Sequence, residues 1–186
     1  RLALDGGNLV LRPYGGNKLV IGGGMRALPD AGVALAAAGL VADTTYYIYA
    51  YDNAGTITME ASTTGHSTQA GTGVEIKTGD PSRTLVGMAR AVAGPAWADS
   101  DGQRLVVSWF NRRRRPVRAG FSAQRSTSST TPVELHAEIR IEFLCWADEV
   151  ADVAHLGAVY NSGPNACYSA VGFDGVAPVG TIYGGG

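Results

Sequence analysis

The chain has 186 residues, of which 15 are Lys or Arg and 16 are Asp or Glu, for a formal net charge of −1. This balance argues against a general attraction to nucleic acid or to an anionic membrane, and no apolar run approaches the roughly 20 residues that span a bilayer, so we expect no nucleic-acid partner and no membrane insertion. With 26 Gly, 8 Tyr and 17% charged residues, the composition favours short strands and frequent turns over helical bundles.

The first half of the chain consists of short strand-like runs. Gly, Pro, Asp or Asn separate the runs at intervals of roughly 8 to 15 residues, the spacing of an antiparallel sandwich or barrel. The runs are NLVLRP from Asn8, NKLVIG from Asn17, GVALAA from Gly32, GVEIKT from Gly73 and RTLVGMARAV from Arg83. The pattern predicts an N-terminal β domain over residues 1–98.

A glycine-rich segment, GGGMRA at residues 22–27, matches the pattern of a dinucleotide-binding turn. Such a turn must open a helix whose first amides hold a pyrophosphate, and Pro29, Asp30 and Gly32 are incompatible with that helix. Neither lysine of the chain lies in a phosphate-binding loop. We therefore interpret the segment as a Gly-rich turn and predict no nucleotide cofactor.

The stretch TTYYIYAYDNAGTITMEAST, residues 44–63, predicts a β-hairpin. Residues 52–55 supply Asp, Asn and Gly for the turn, and apolar and polar side chains alternate after it. This alternation predicts a hairpin buried on one side only, with Thr56, Thr58 and Glu60 facing water.

Four tyrosines lie in the first strand of this hairpin. Because side chains alternate across a strand, Tyr47, Tyr49 and Tyr51 share one face, opposite to Ile48. Two uses of this face are open: packing against other parts of the protein, or contact with a glycan.

Residues 99–116 are predicted to be a junction between two domains. Ser100 and Gln103 have the spacing of a helix capping box, and a proline ends the segment. Apolar residues at helical spacing lie between the capping box and this proline, although Val106 and Trp109 would also suit a strand. We predict a short helical turn that begins at Ser100.

Four consecutive arginines, Arg112, Arg113, Arg114 and Arg115, occupy the end of the junction. The chain after the following proline carries three arginines and seven acidic residues. Since a guanidinium pairs with a carboxylate through two parallel hydrogen bonds, we predict that the arginines dock one domain or subunit onto another rather than bind nucleic acid.

The second half of the chain is again predicted to be β. From Val133 to Cys145 the apolar residues occupy every second position, which predicts a long strand that bends or breaks near His136. Further strands are expected in GAVYNS, ACYSAVGFD and VAPVGTIY, with a turn at residues 174–175. Residues 117–186 are therefore predicted to form a second β-sandwich, similar to a jelly roll in outline.

No combination of residues in the sequence indicates chemistry. The three histidines share no metal-ligand spacing, and the acidic cluster at residues 148–152 lacks the ligand pattern of a calcium loop. Cys145 and Cys167 are expected to be buried reduced thiols. We predict that the protein is not an enzyme and has no catalytic, cofactor or metal site.

The stretch from Tyr46 to Arg113, which begins YYIYAYDNAGTITMEAS and ends RLVVSWFNRR, resembles a block found in virion proteins of tailed bacteriophages and prophages. These proteins are tail fibres, receptor-binding proteins or other structural components. The resemblance covers about a third of the chain. It implies a location on the particle, in the tail or on the capsid, and partners among the other virion proteins.

The same resemblance implies a homo-oligomer, typically a trimer, built of β domains along an axis. In such an assembly the tyrosines would pack between sheets or subunits. The alternative interpretation is a carbohydrate-binding β-sandwich module in which Tyr47, Tyr49, Tyr51 or one of the tryptophans stacks on sugar rings. The two interpretations overlap if the exposed half of a virion protein binds a glycan of the host surface.

Overall fold

The structure is a computed structural model, and it describes residues 1–131, 133–156, 159–160, 167–174 and 182–184. In these residues the chain forms strands, turns and a single 3-10 turn at Ala137–Ile139, without an α-helix. The predicted all-β fold class is confirmed.

Sixteen strands lie in the described part of the chain. They are β1 Leu2–Asp5, β2 Asn8–Leu11, β3 Lys18–Ile21, β4 Gly24–Ala27, β5 Val33–Leu35, β6 Thr45–Asn53, β7 Thr56–Ser62, β8 His66–Thr68, β9 Glu75–Lys77, β10 Asp80–Val92, β11 Ala96–Trp97, β12 Gln103–Arg104, β13 Val106–Ser108, β14 Glu142–Phe143, β15 Cys167–Ser169 and β16 Ile182–Gly184. Each of the five runs predicted in the first half overlaps one of these strands.

The chain divides into two compact units. The first comprises residues 1–120 and 140–146, and the second comprises residues 121–139 and the described part of 147–186. The segment 99–116, predicted to be a junction, therefore belongs to the first unit. In the second unit β15 and β16 pair antiparallel, and most of the remaining residues predicted to be strand there lie outside the described ranges.

The first unit is built around one large antiparallel sheet with the order β7-β6-β10-β9-β8. Strands β11 and β13 also pair with β10, which is 13 residues long. A three-stranded sheet, β1-β2-β5, and the β3–β4 hairpin lie over one face of the large sheet. The main core fills the space between these layers and includes Leu9, Leu11, Ile21, Ile48 and Val86. This unit is therefore a layered antiparallel β structure, as the spacing of the runs predicts.

The β6–β7 hairpin is present, with a two-residue turn at Ala54 and Gly55. Both turn residues have positive φ, 51° and 91°, and the Asp52 carboxylate accepts a hydrogen bond of 2.6 Å from the Gly55 amide. The prediction that the hairpin is buried on one side only is wrong. Tyr49 is 0% exposed on the face opposite to Ile48, because residues far along the chain cover that face.

The helical turn predicted at Ser100 is wrong. Residues 103–104 and 106–108 are strands, and Leu105 between them is 1% exposed. Val106 and Val107 pair with Ala89 and Met88 of β10. An edge of β10 is open to pairing there, and β-branched side chains pack well on a half-buried sheet, so tertiary pairing overrides the local capping signal.

The long strand predicted from Val133 to Cys145 is also wrong. The described residues of this segment contain the 3-10 turn and the two-residue strand β14, which pairs parallel with β12. Val133, Ile139 and Ile141 are 53%, 36% and 37% exposed. Alternation of apolar residues specifies a strand only where another strand supplies hydrogen bonds, and the described ranges offer residues 133–141 no such partner.

A β-bulge in β10 fixes how the layers meet. Leu85 pairs with Tyr49 and Gly87 with Ile48, so Val86 is an extra residue in the strand. A Cβ atom added at Gly87 would lie 2.4 Å from a methyl carbon of Leu2 and 2.5 Å from the carbonyl oxygen of Val107. This position therefore admits only glycine without movement of the backbone.

Replacing Gly87 by Ala should lower the free energy of unfolding by at least about 1 to 3 kcal/mol, the cost of overpacking a filled core. The matched control is Gly65→Ala, because a Cβ atom there meets nothing within 4 Å. Urea unfolding followed by tryptophan fluorescence measures both variants. Equal stability of the two variants would contradict the close packing at Gly87.

Candidate functional site

A group of aromatic rings covers the second face of the large sheet, and we call it the aromatic cluster: Tyr47, His66, Trp109 and Trp146. Ring centroids are 5.5 Å apart for Tyr47 and His66, 5.5 Å for His66 and Trp109, and 4.8 Å for the two tryptophans, whose planes cross at 85°. The Tyr47–His66 and Trp109–Trp146 pairs are edge-to-face, a favoured geometry of aromatic pairs, and the His66–Trp109 pair is tilted. The cluster closes a small core around Tyr49, Leu85 and Met88.

Different parts of the first unit supply the cluster, and hydrogen bonds hold both tryptophans. The Trp109 amide donates to the carbonyl of Val86 in the bulge, at 2.9 Å. The Trp146 indole donates to the carbonyl of Ser108 at 3.3 Å. The bulge in β10 therefore determines the position of Trp109.

Arg112 lies against the two tryptophans. Its guanidinium carbon is 4.3 Å from the ring centroid of Trp109 and 5.4 Å from that of Trp146. A cation over an indole face is attracted by the negative face of the ring. Arg112 thus contributes to the cluster through its charge and its planar shape.

Glu75 joins the cluster to the polar surface. Its side chain lies 2.5 Å from Nδ1 of His66 and accepts a hydrogen bond from the Thr68 hydroxyl. Burial raises the pKa of the Glu75 carboxyl, but the hydrogen bonds from Thr68 and His66 outweigh burial and leave this pKa below its ordinary value. Glu75 is therefore a carboxylate at neutral pH.

A cleft of about 300 Å³ adjoins the aromatic cluster. Three segments line it, namely β3, the end of the β8–β9 turn and the chain just after β13. The lining residues are Lys18, Leu19, Val20, Gly73, Val74, Glu75, Trp109 and Phe110. The cleft combines aromatic surface with a cation and a carboxylate, a combination suited to binding a small polar ligand.

The tyrosine face does not form an open platform. Tyr49 is 0% exposed, so a glycan cannot contact it, and its hydroxyl donates to the carbonyl of Thr64 at 2.8 Å. Tyr47 packs on His66, and the guanidinium carbon of Arg83 lies 3.9 Å from the ring centroid of Tyr51. Each of the three tyrosines thus contacts protein.

The arginine run lies along the first unit. Arg115 pairs at 2.6 Å with Asp99, whose side chain is 6% exposed. The guanidinium carbon of Arg113 is 4.8 Å from the ring centroid of Tyr14, Arg112 stacks on the tryptophans, and Arg114 is exposed. Two of the four arginines therefore dock on aromatic rings. Docking of subunits through this run stays a prediction.

The expectation of buried thiols is wrong for Cys145, which is exposed, and the side chain of Cys167 lies outside the described part of the structure. Among the described side chains, no group of three or more His, Cys, Asp or Glu could hold a metal ion. No described helix has both the length and the apolar character needed to cross a bilayer.

Sequence reasoning named Tyr47 and Arg112 but missed the residues that join them. His66 has the appearance of an isolated histidine in the sequence, and Glu75 that of a polar residue in a short strand. The pairing of β8 with β9 places Thr68 opposite Glu75 and His66 diagonal to it. A prediction of the β8–β9 hairpin from the sequence would have been the one way to bring His66, Thr68 and Glu75 together.

No protein-family model, no curated protein and no solved structure matches this chain.

Glu75→Gln should lower the free energy of unfolding at pH 7 by about 1 kcal/mol, because the amide accepts weaker hydrogen bonds than the carboxylate. The folded-state pKa of Glu75 lies below the ordinary 4.5, so its stabilising effect is present above pH 4.5 and lost as the pH falls through the folded-state value. The difference between wild type and variant should therefore narrow under acid conditions.

Urea unfolding at several pH values between about 3 and 7 measures this difference. The control is Asp30→Asn, which also removes one negative charge but at an exposed loop position, and it should change stability little. If the free energy of unfolding of Glu75→Gln stayed below that of the wild type by a constant amount over this range, the carboxylate charge would not be stabilising.

Proposed function

We propose that this chain is a structural protein of a tailed-bacteriophage virion, a fibre, spike or capsid-surface decoration at the surface of the particle. The observation that carries the proposal is the two-sided burial of the large sheet, to which strands in the stretch from Tyr46 to Arg113 contribute most. That stretch resembles virion proteins, and its tyrosines are used for packing. A rigid body of this kind suits a protein that bears load or presents a surface.

The character of the candidate site also supports a binding or structural protein over an enzyme. The aromatic cluster is held by ring contacts, and Glu75 is ionised and engaged by His66 and Thr68. An ionised carboxylate with two hydrogen-bond partners is a weak general base at neutral pH. The arrangement favours holding a ligand over transforming it.

Exposed apolar side chains of the second unit support self-association. Val150, Leu156, Tyr160 and Phe173 are 80%, 94%, 71% and 47% exposed in the single chain. Apolar surface of this extent is usually covered in the native assembly. We propose that copies of this chain cover it in a closed homo-oligomer, with a trimer as the expected form.

Light scattering of the purified chain should give about three times the 19.3 kDa mass of one chain. Leu156→Lys combined with Val150→Lys should shift the mass toward that of a monomer, because charged side chains cannot be buried in the interface without a partner. Val41→Lys, at a 66% exposed position of the first unit, is the control and should leave the mass unchanged. A wild-type monomer at micromolar concentration would contradict the proposal.

The virion location is tested on particles. Particles from an infected or induced culture of the source are banded by density, and peptides of this chain are sought by mass spectrometry in the band and in the soluble fraction. We expect the peptides in the band in constant ratio to the other virion proteins, and surface labelling by an antibody against the chain. Peptides confined to the soluble fraction would exclude a virion role.

The alternative interpretation is a carbohydrate-binding module that stacks sugars on the tyrosines or on a tryptophan, and the packing of the tyrosine face argues against the first of these surfaces. Tyr49 is fully buried, and Tyr51 lies under Arg83. A glycan partner therefore requires aromatic surface elsewhere in the chain.

A further inference from the structure

The cleft beside the aromatic cluster has aromatic surface that the tyrosine face lacks. Phe110 is 40% exposed and Trp109 is half-buried, and both line the cleft. Lys18 and Glu75, which carry opposite charges, also line it. A ligand in this space meets apolar ring surface and two charged groups of opposite sign.

Each wall of the cleft is held in place by hydrogen bonds. The Thr84 hydroxyl donates to the carbonyl of Val20 in β3 at 2.6 Å. The β8–β9 turn is closed by the Gln69 amide, which donates to the carbonyl of Val74 at 2.8 Å. The Ser108 hydroxyl donates to the carbonyl of Phe110 at 2.6 Å. The cleft is therefore largely formed before a ligand arrives, which reduces the entropic cost of binding.

We infer that this cleft binds a neutral hexose unit of a glycan, with Trp109 and Phe110 against the ring and with Glu75 and Lys18 at its hydroxyl groups. A hexose has an apolar face of C–H groups and a rim of hydroxyls, and so matches both kinds of surface. Glu75 keeps lone pairs beyond those used by Thr68 and His66 and can accept from hydroxyls, while Lys18 can donate to them. The inference rests on the proposed function, because the glycan is the host-surface partner of a virion protein.

The charges of the cleft select against anionic ligands. The two charged lining residues, Lys18 and Glu75, have opposite signs, so the cleft has no net positive charge to attract a phosphate or a carboxylate. The volume of about 300 Å³ lies at the lower end of the range for small-ligand sites. A single neutral sugar ring fits this volume and this charge balance better than a nucleotide does.

The test is a titration of the full ¹⁵N-labelled chain, followed by NMR. Glucose, galactose, mannose and N-acetylglucosamine are added separately, up to about 100 mM, to cover dissociation constants in the millimolar range. At least one sugar should shift the Trp109 indole and Phe110 amide signals in a saturable way. The Trp97 indole, buried and donating to the carbonyl of Leu35 at 3.1 Å, should not move.

Phe110→Ala should weaken binding by roughly threefold to tenfold, the effect of losing one aromatic contact. The residue is 40% exposed, so the variant should remain folded, which the unchanged Trp97 signal would show. Tyr14→Ala removes a 54% exposed aromatic side chain away from the cleft and should leave binding unchanged. Lys18→Met provides a second variant that removes a polar contact and should also weaken binding.

Absence of saturable shifts with all four sugars would overturn the inference. So would unchanged binding in both Phe110→Ala and Lys18→Met. Adenosine is titrated in parallel, and stronger shifts of the same signals by adenosine than by every sugar would assign the cleft to an aromatic base instead. The virion location is measured on particles, so failure of sugar binding and failure of the proposed function give separate results.

Discussion

Strand β10 is paired on both edges and buried on both faces, and the rest of the first unit depends on this constraint. On one edge it pairs with β6, and on the other with β9, β13 and β11. Gly87, Met88 and Ala89 have partners on both edges at once. Because a buried backbone must have its hydrogen bonds satisfied, β13 cannot be helical while it covers this edge. The bulge at Val86 then provides the carbonyl that fixes Trp109, and with it the aromatic cluster.

Ion pairs of a nearly buried aspartate help to hold the segment around residues 99–116 in place. Asp99 is nearly buried and lies 2.6 Å from Arg115 and 3.9 Å from Arg104. A buried carboxylate requires such partners, because desolvation of an unpaired charge is costly. The pairing holds the segment around residues 99–116 on the first unit. In sequence the arginine run has the form of a polybasic site. In the structure Arg115 pairs with an acid, Arg113 stacks on a tyrosine and Arg112 stacks on two tryptophans.

The candidate site follows from how the second face of the sheet is covered. Trp109 and Trp146 come from positions 37 residues apart and meet over Tyr47 and Met88. Their packing leaves Trp109 and the exposed Phe110 at the side of a cleft that also contains Glu75. Residues that complete the core therefore also form the proposed binding surface. Hydrogen bonds tie the walls of the cleft to the sheet and to neighbouring turns.

Of the Gly-rich turn predicted at residues 22–27, Gly22 and Gly23 form the turn, whereas residues 24–27 form strand β4. The sequence by itself determined the all-β class, the five runs of the first half, the turn within residues 52–55 and the turn at Gly22 and Gly23. These features depend on residues close together in the chain, where alternation and turn propensity act directly. Only the tertiary structure decided that Tyr49 is buried, that Val106 is in a strand and that Ile139 lies in a 3-10 turn. Each of these depends on whether a distant segment offers hydrogen bonds or apolar cover, which local alternation does not encode. The cleft likewise depends on tertiary structure, because its lining comes from three segments that are distant from one another in the chain.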